Sequence, residues 1–128
     1  MEKFKGKTRE IRFHSKKNNA IVVVHSDLEK KYAGILEKQE DVISYESNVP
    51  FNQSEYIHVR QLGIRKSYFS TLWASSFLLH YADGRFGIRE LVLAGDITKQ
   101  SVLQQLEFSR RYWEQQRAYD WKIVLMEA

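Results

Sequence analysis

Carboxylates are the side chains of this sequence best placed to do chemistry, because it contains no cysteine and its four histidines lack metal-ligand spacing. Glu29 falls in the first turn of a predicted helix, and Glu90 lies within an apolar run. A metal ion here would need oxygen or histidine ligands. Each carboxylate also has a structural interpretation: Glu29 completes a capping box with Ser26, and Glu90 is an edge or solvent-facing residue paired with Arg89 or Arg65.

A β-hairpin is the clearest element that could position Glu90. Two runs rich in aromatic and aliphatic residues, 73–81 and 86–94, flank an Asp83-Gly84 turn signal. Because side chains alternate along a strand, Glu90 shares one face with Ile88 and Val92. A carboxylate among such neighbours is either at the solvent face of the sheet or a ligand.

The remaining patterns predict a mixed α/β protein of one domain. Residues 20–24 indicate a strand or the start of a helix, and a capping box at Ser26 begins a helix that runs to about residue 39. Strands follow at 42–46 and 55–60, with Pro50 between them. A second helix from 98 or 101 to about 116 and a strand at 121–125 close the chain. This order predicts a mixed sheet with flanking helices.

The basic residues are unevenly distributed over the 128 positions. The net charge is +4, and residues 1–17 alone hold seven basic and two acidic side chains. We therefore expect a basic arm over 1–17 and a nearly neutral body over 18–128. The arm, with Arg12, Lys16 and Lys17, is either a phosphate-binding element or a solvated tail.

No apolar run approaches the ~18 residues of a membrane span, and the N-terminus lacks the apolar core of a signal peptide. We expect a soluble, cytoplasmic protein without membrane contact. Aromatic and basic residues alternate between 110 and 121, which is typical either of base stacking or of an amphipathic helix docked on a sheet. The second interpretation is favoured.

Four segments of the sequence form a recognisable series. They are Arg12-x-x-Ser15-Lys16-Lys17-Asn18-Asn19, Val23-x-x-Ser26-x-Leu28-Glu29-x-x-Tyr32, Leu36-Glu37-x-x-x-Asp41-Val42 and Tyr45-Glu46-x-x-x-Pro50-Phe51. Taken together, these segments resemble the TnsA transposon endonuclease family. The similarity extends weakly over residues 9–126 and is most specific in the N-terminal half.

The resemblance implies a restriction-endonuclease-like mixed β-sheet flanked by helices, with a Mg²⁺-dependent site. It places the helix carboxylate at Glu29, an expected aspartate at Ser76, and an acid-x-lysine pair at Glu90 and Val92. Glu29, Ser76 and Glu90 are thus the implied catalytic positions, and Glu29 and Glu90 the implied metal ligands. Serine is a weak neutral ligand and valine can neither polarise water nor contact phosphate.

We therefore expect nuclease activity to be absent or strongly reduced. Asp96 or Asp83 could replace the missing acid, and Lys99 or Lys122 the missing base. The resemblance implies double-stranded DNA and the transposase or regulator subunits of a transposition complex as partners. Two alternatives remain: a catalytically silent scaffold of a transposition or phage-related complex, and an unrelated α/β interaction domain.

Overall fold

A computed structural model describes residues 1–3 and 9–127. Two α-helices interrupt a series of strands in the described residues, and the prediction of a mixed α/β protein with a mixed sheet is confirmed. The elements are β1 (Glu2–Lys3), β2 (Ile11–Ser15), β3 (Ala20–Val24), α1 (Asp27–Glu37), β4 (Val42–Pro50), β5 (Trp73–Tyr81), β6 (Phe86–Leu93), α2 (Gln100–Gln115) and β7 (Asp120–Met126).

The main sheet is built on the hairpin of β5 and β6. β4 pairs antiparallel with one edge of β5, while β6 and the short β1 pair with the other. β7 lies parallel to β6 on the far side. The turn between β5 and β6 forms as predicted: Gly84 has a φ of +88°, and the Asp83 carboxylate accepts a hydrogen bond from the backbone N–H of Arg85.

Both faces of the sheet are covered by a core. On one face α2 contributes Phe108, Tyr112 and Trp113 to an aromatic cluster that includes Trp73 and Phe51. On the other face α1 and the separate hairpin of β2 and β3 pack against the sheet, with the side chains Val22, Val24, Tyr32, Leu36, Tyr45 and Phe77 among those buried there. The central strands β5 and β6 are therefore shielded from water on both faces of the sheet.

Two expectations about element boundaries need correction. Residues 55–60 do not form a strand, since Gln53–His58 is a 3₁₀ helix. The Asn52 side chain accepts a hydrogen bond from the backbone N–H of Ser54 and starts this helix, and Ile57 is 84% exposed. The alternation of residue types therefore did not mark a buried sheet face, because a local side-chain cap satisfied the backbone instead.

The N-terminal arm is the second. Residues 11–15 form β2 and pair with β3, so this part of the arm belongs to the body. Lys5 and Lys7, which also belong to the expected arm, lie outside the described residues.

Candidate functional site

Some of the predicted site residues lie where β5 and β6 separate. The backbone ladder between these strands ends at the pair Phe77 and Arg89. Beyond it, side chains replace the ladder: the Ser76 N–H donates to Glu90 Oε1 at 3.1 Å, and the Leu91 N–H donates to Ser76 Oγ at 3.0 Å. The separation opens a cavity of about 320 Å³.

Three of the four positions that the family resemblance indicates line this cavity. They are Glu29, Ser76 and Val92; the lining also includes Asn48 and Asp96. Glu90 is not among the lining residues. The fold therefore brings Glu29 and Ser76 to one cavity and leaves the Glu90 carboxylate outside it.

Glu29 both caps α1 and faces the cavity. Its backbone N–H donates to Ser26 Oγ at 3.1 Å, as the capping box predicts. Its Oε1 accepts hydrogen bonds from the His25 N–H at 3.1 Å and from Asn48 Nδ2 at 2.9 Å. The structural interpretation of Glu29 is thus confirmed, although the carboxylate bonds the N–H of His25 rather than that of Ser26. Within the described residues Oε2 accepts no hydrogen bond.

Glu90 is fully buried, so the expectation of an edge or solvent-facing residue was wrong. β6 lies between β5 and β7, and α2 covers the face to which Glu90 points. Its Oε2 accepts hydrogen bonds from Ser75 Oγ at 2.6 Å and from Ser109 Oγ at 2.5 Å. The amino group of Met1 lies 3.3 Å from Oε1. Neither the Arg89 nor the Arg65 guanidinium forms an ion pair with the Glu90 carboxylate.

The two serines that hold Glu90 are themselves held by tryptophans. Trp113 Nε1–H donates to Ser75 Oγ at 2.8 Å, and Trp121 Nε1–H donates to Ser109 Oγ at 2.9 Å. Each serine hydroxyl therefore accepts from an indole and donates to Glu90. This closed network joins β5, β6, α2 and β7 inside the core, where an unpaired carboxylate would be costly.

The arrangement of Glu29 and Glu90 does not fit a two-carboxylate Mg²⁺ site. Mg²⁺ requires oxygen ligands in near-octahedral geometry, and carboxylate ligands supply the negative charge that balances the cation. Glu29 offers one oxygen to the cavity, while both Glu90 oxygens are occupied by protein donors. In residues 1–3 and 9–127 no three acidic or histidine side chains form a group that could hold a metal ion.

The proposed replacements for the missing groups are dispersed. Asp96 lines the cavity but pairs with Lys99 at 2.8 Å. Asp83 lies in the hairpin turn, where Arg85 binds it. Lys122 lines a different groove, beside Asp120.

The Ser-Lys-Asn segment makes inward contacts that its basic character does not suggest. Lys17 Nζ donates to the carbonyls of Gln39 and Val42 at 2.6 and 2.5 Å. Lys17 therefore joins the turn after β2 to the loop after α1. Arg12 pairs with Glu10 at 2.7 Å, and Lys16 is exposed. Of the three predicted DNA contacts, Lys16 alone combines exposure with the absence of an ion pair to the described residues.

Glu37 holds the residues around Lys17 in place. The Glu37 carboxylate accepts hydrogen bonds from Ser15 Oγ at 2.5 Å and from the Tyr45 hydroxyl at 2.6 Å. Burial raises the pKa of Glu37, but these hydrogen bonds outweigh burial and leave it below its usual value. Asn18 exchanges side-chain hydrogen bonds with the backbone of Tyr45. The segment therefore fastens the hairpin of β2 and β3 to α1 and β4.

A second polar network was not anticipated from the sequence. Arg89 Nη1 donates to Asp120 Oδ1 at 2.7 Å, and the Tyr81 hydroxyl donates to Asp120 Oδ2 at 2.8 Å. Burial raises the pKa of Asp120, yet the bonds from Arg89 and Tyr81 lower it overall. Burial and the Asp120 bond raise the pKa of Tyr81 to about 12. The only signal in the sequence was Gly87, which leaves room for Asp120.

The aromatic residues near the C-terminus divide between core and surface. Tyr112 and Trp113 are buried against the sheet, which confirms the docked-helix interpretation for these two residues. Tyr119 is exposed, with the Arg85 guanidinium 3.5 Å above its ring.

The fold and the site define a mixed α/β protein with a partly acidic cavity beside a buried carboxylate network. No protein-family model matches the chain, and no curated protein matches it. Within the described part of the chain, no helix is long and apolar enough to cross a bilayer.

Proposed function

We propose that this chain is a DNA-binding protein of restriction-endonuclease-like fold that acts in DNA transposition and does not itself cleave DNA. The observation that carries the proposal is the separation of the two carboxylates: Glu29 faces the cavity, whereas Glu90 is bonded inside the core by Ser75, Ser76 and Ser109. The similarity to the TnsA family supports the biological setting, and a cytoplasmic location accords with it.

The chemistry of the site supports a loss of cleavage. Metal-dependent phosphodiester hydrolysis needs a charged ligand set that holds Mg²⁺ and a group that positions the attacking water. Ser76 accepts a backbone hydrogen bond and carries no charge, and Val92 has no polar atom. A Mg²⁺ ion bound at Glu29 would supply Lewis acidity, but the neighbouring side chains give it little to bind. The cavity residues are therefore consistent with a protein that keeps the fold of a nuclease but does not cleave DNA.

Cleavage would then belong to a partner, such as a transposase subunit, while this chain holds DNA or contacts a regulator. A pure scaffold in a transposition or phage-related complex is the second candidate, and the β7 edge favours it. Within the described residues β7 pairs only with β6, and its Ile123 and Leu125 are exposed. An open strand edge with apolar side chains is a template for pairing with another chain.

Incubation with supercoiled plasmid in Mg²⁺ or Mn²⁺ tests the silent centre. We expect no nicking above background for the wild type. A Glu29→Gln variant is the matched control, because it removes the charge that faces the cavity and keeps an oxygen for the bonds to Oε1. Nicking by the wild type that disappears in Glu29→Gln would show an active site and refute the proposal.

Binding of a labelled DNA duplex at a series of salt concentrations tests the DNA-holding role. Affinity that falls linearly with salt on logarithmic axes indicates phosphate contacts. Lack of duplex binding at low salt would rule out the DNA-binding function and leave the scaffold.

A further inference from the structure

The loop that connects the 3₁₀ helix Gln53–His58 to β5 carries positive charge and no acidic residue. From residue 56 to residue 82 the sequence contains no acidic residue, and its Arg and Lys residues are Arg60, Arg65 and Lys66. All three side chains are exposed and form no ion pair with a described residue. Two of the three predicted DNA contacts differ, since Arg12 pairs with Glu10 and Lys17 bonds two carbonyls.

The loop is held firmly against α2 through its backbone. Arg111 Nη1 donates to the carbonyls of Arg60 and Leu62 at 2.7 and 2.8 Å. Gln104 Oε1 accepts a hydrogen bond from the backbone N–H of Arg65 at 3.0 Å. These three hydrogen bonds do not use the side chains of Arg60, Arg65 or Lys66, so these cationic groups can bind a ligand on a fixed support.

The length of this support matches a DNA backbone. Gln104 and Arg111 are seven residues apart on α2, which corresponds to about 10 Å along the helix axis. Each strand of B-DNA carries one phosphate per about 3.4 Å of axis, so cations spread over this length can reach more than one phosphate of a strand. Three cations distributed along the loop suit a single strand backbone of a duplex.

A groove next to the cations adds neutral donors. It has a volume of about 480 Å³ and is lined by Gln61, Lys66, Ser67, Phe69 and Ser70. The Ser67 hydroxyl is exposed and makes no hydrogen bond to a described residue. Hydroxyl and amide groups are common phosphate contacts beside Arg and Lys.

We propose that Arg60, Arg65 and Lys66 form the main phosphate-binding surface of this protein for duplex DNA, in place of the N-terminal Ser-Lys-Asn segment. The inference rests on the proposed DNA-binding function and identifies the surface that performs it. The loop and the cavity both lie against α2, the loop through Gln104 and the cavity through Gln105.

The test compares two triple variants of equal charge change in duplex binding across salt. Arg60→Gln, Arg65→Gln and Lys66→Gln remove the loop cations but leave the backbone anchors. Lys30→Gln, Lys31→Gln and Lys38→Gln remove three exposed lysines of the α1 region. Thermal unfolding checks that both variants remain folded.

The loop variant should lower the logarithmic salt slope by about 0.9 per lost phosphate contact. The affinity lost between about 50 and about 200 mM salt then becomes roughly 40-fold smaller than for the wild type. The α1 variant should keep the wild-type slope.

Equal effects of the two variants, with the wild type still binding, would overturn the loop surface and leave DNA binding intact. A wild type that does not bind duplex at low salt would overturn both. Wild-type binding to single-stranded RNA, but not to duplex, would refute the choice of ligand.

Discussion

The Ser109 hydroxyl donates a 2.5 Å hydrogen bond to Glu90, which joins α2 to the central strand β6 inside the core. Removal of this donor by Ser109→Ala should lower the free energy of unfolding by about 1–3 kcal/mol, because it weakens the solvation of a buried carboxylate and leaves the Trp121 N–H without its acceptor. Urea unfolding followed by circular dichroism measures the effect. Ser101→Ala, on the same helix, is the control and should change stability by less than about 0.5 kcal/mol.

Restoration of the family's residues should fail to restore cleavage. In a Ser76→Asp and Val92→Lys double variant the missing acid and base are both present. Glu90 nevertheless stays bonded to Ser75 and Ser109, so the second carboxylate remains outside the cavity. We expect no plasmid nicking in Mg²⁺ or Mn²⁺. Nicking by a folded double variant would show that the Glu90 network yields to a metal ion.

Gly87 has a steric role at the second network. A Cβ atom there would lie 2.0 Å from Asp120 Oδ1 and 2.7 Å from the Tyr81 hydroxyl. Gly87→Ala should therefore displace Asp120 and reduce stability by about 1–3 kcal/mol in thermal or urea unfolding. Gly95→Ala is the matched control, since no heavy atom lies within 4 Å of its added Cβ. Equal stability of the two variants would contradict the close packing of Asp120.

Stability should fall in acid partly through Asp120. Hydrogen bonds from Arg89 and Tyr81 keep the pKa of Asp120 below its usual value. A lowered folded-state pKa contributes stability that is complete above the unfolded pKa, about 3.9, and is lost as the pH falls through the folded pKa. Urea unfolding from about pH 6 to about pH 2.5 measures this loss. The Asp120→Asn variant should be less stable than the wild type at neutral pH and should lose less stability in acid. If its free energy of unfolding depends on pH as that of the wild type does, the lowered pKa of Asp120 is refuted.

Tyr81 acts in the opposite direction. Its pKa is raised to about 12, so its contribution is complete below the unfolded value of about 10 and is lost as the pH rises through about 12. Tyr81→Phe should reduce this alkaline loss. Absorbance of tyrosinate during alkaline titration should show one late-titrating group fewer in the variant, and an unchanged titration would count against the raised pKa.

Lys17 and Lys16 should behave differently although they are neighbours. Lys17→Gln removes two bonds to the carbonyls of Gln39 and Val42 and should cost about 1–3 kcal/mol of stability. Lys16→Gln should leave stability within about 0.5 kcal/mol of the wild type. Urea unfolding of both variants distinguishes a structural Lys17 from a solvated one. Equal stability of the two variants would show that the bonds of Lys17 are dispensable.

Local signals in the sequence were sufficient for the elements whose geometry depends on near neighbours. The Asp83-Gly84 turn needs a positive φ that glycine supplies, and Ser26 satisfies the free N–H groups of the first turn of α1. The strands β4, β5, β6 and β7 followed from the same kinds of pattern, whereas β1 and β2 fell within the expected arm. The strand expected at 55–60 failed because Asn52 provided a local cap that the alternation of residue types did not reveal.

The roles of the charged residues depended on partners far along the chain. The sequence pattern predicted Glu90 as an edge carboxylate. In the structure it is buried, because Ser75 of β5 and Ser109 of α2 donate hydrogen bonds to it. Lys17 belonged to a basic run, but its ammonium is bound by carbonyls more than twenty positions away. Sequence by itself indicated α1, the hairpin of β5 and β6, α2 and β7, because the caps, turns and hydrophobic periodicity that define these elements are local. Tertiary structure alone decided which charges are buried and which remain exposed for a ligand, because burial depends on contacts between distant segments.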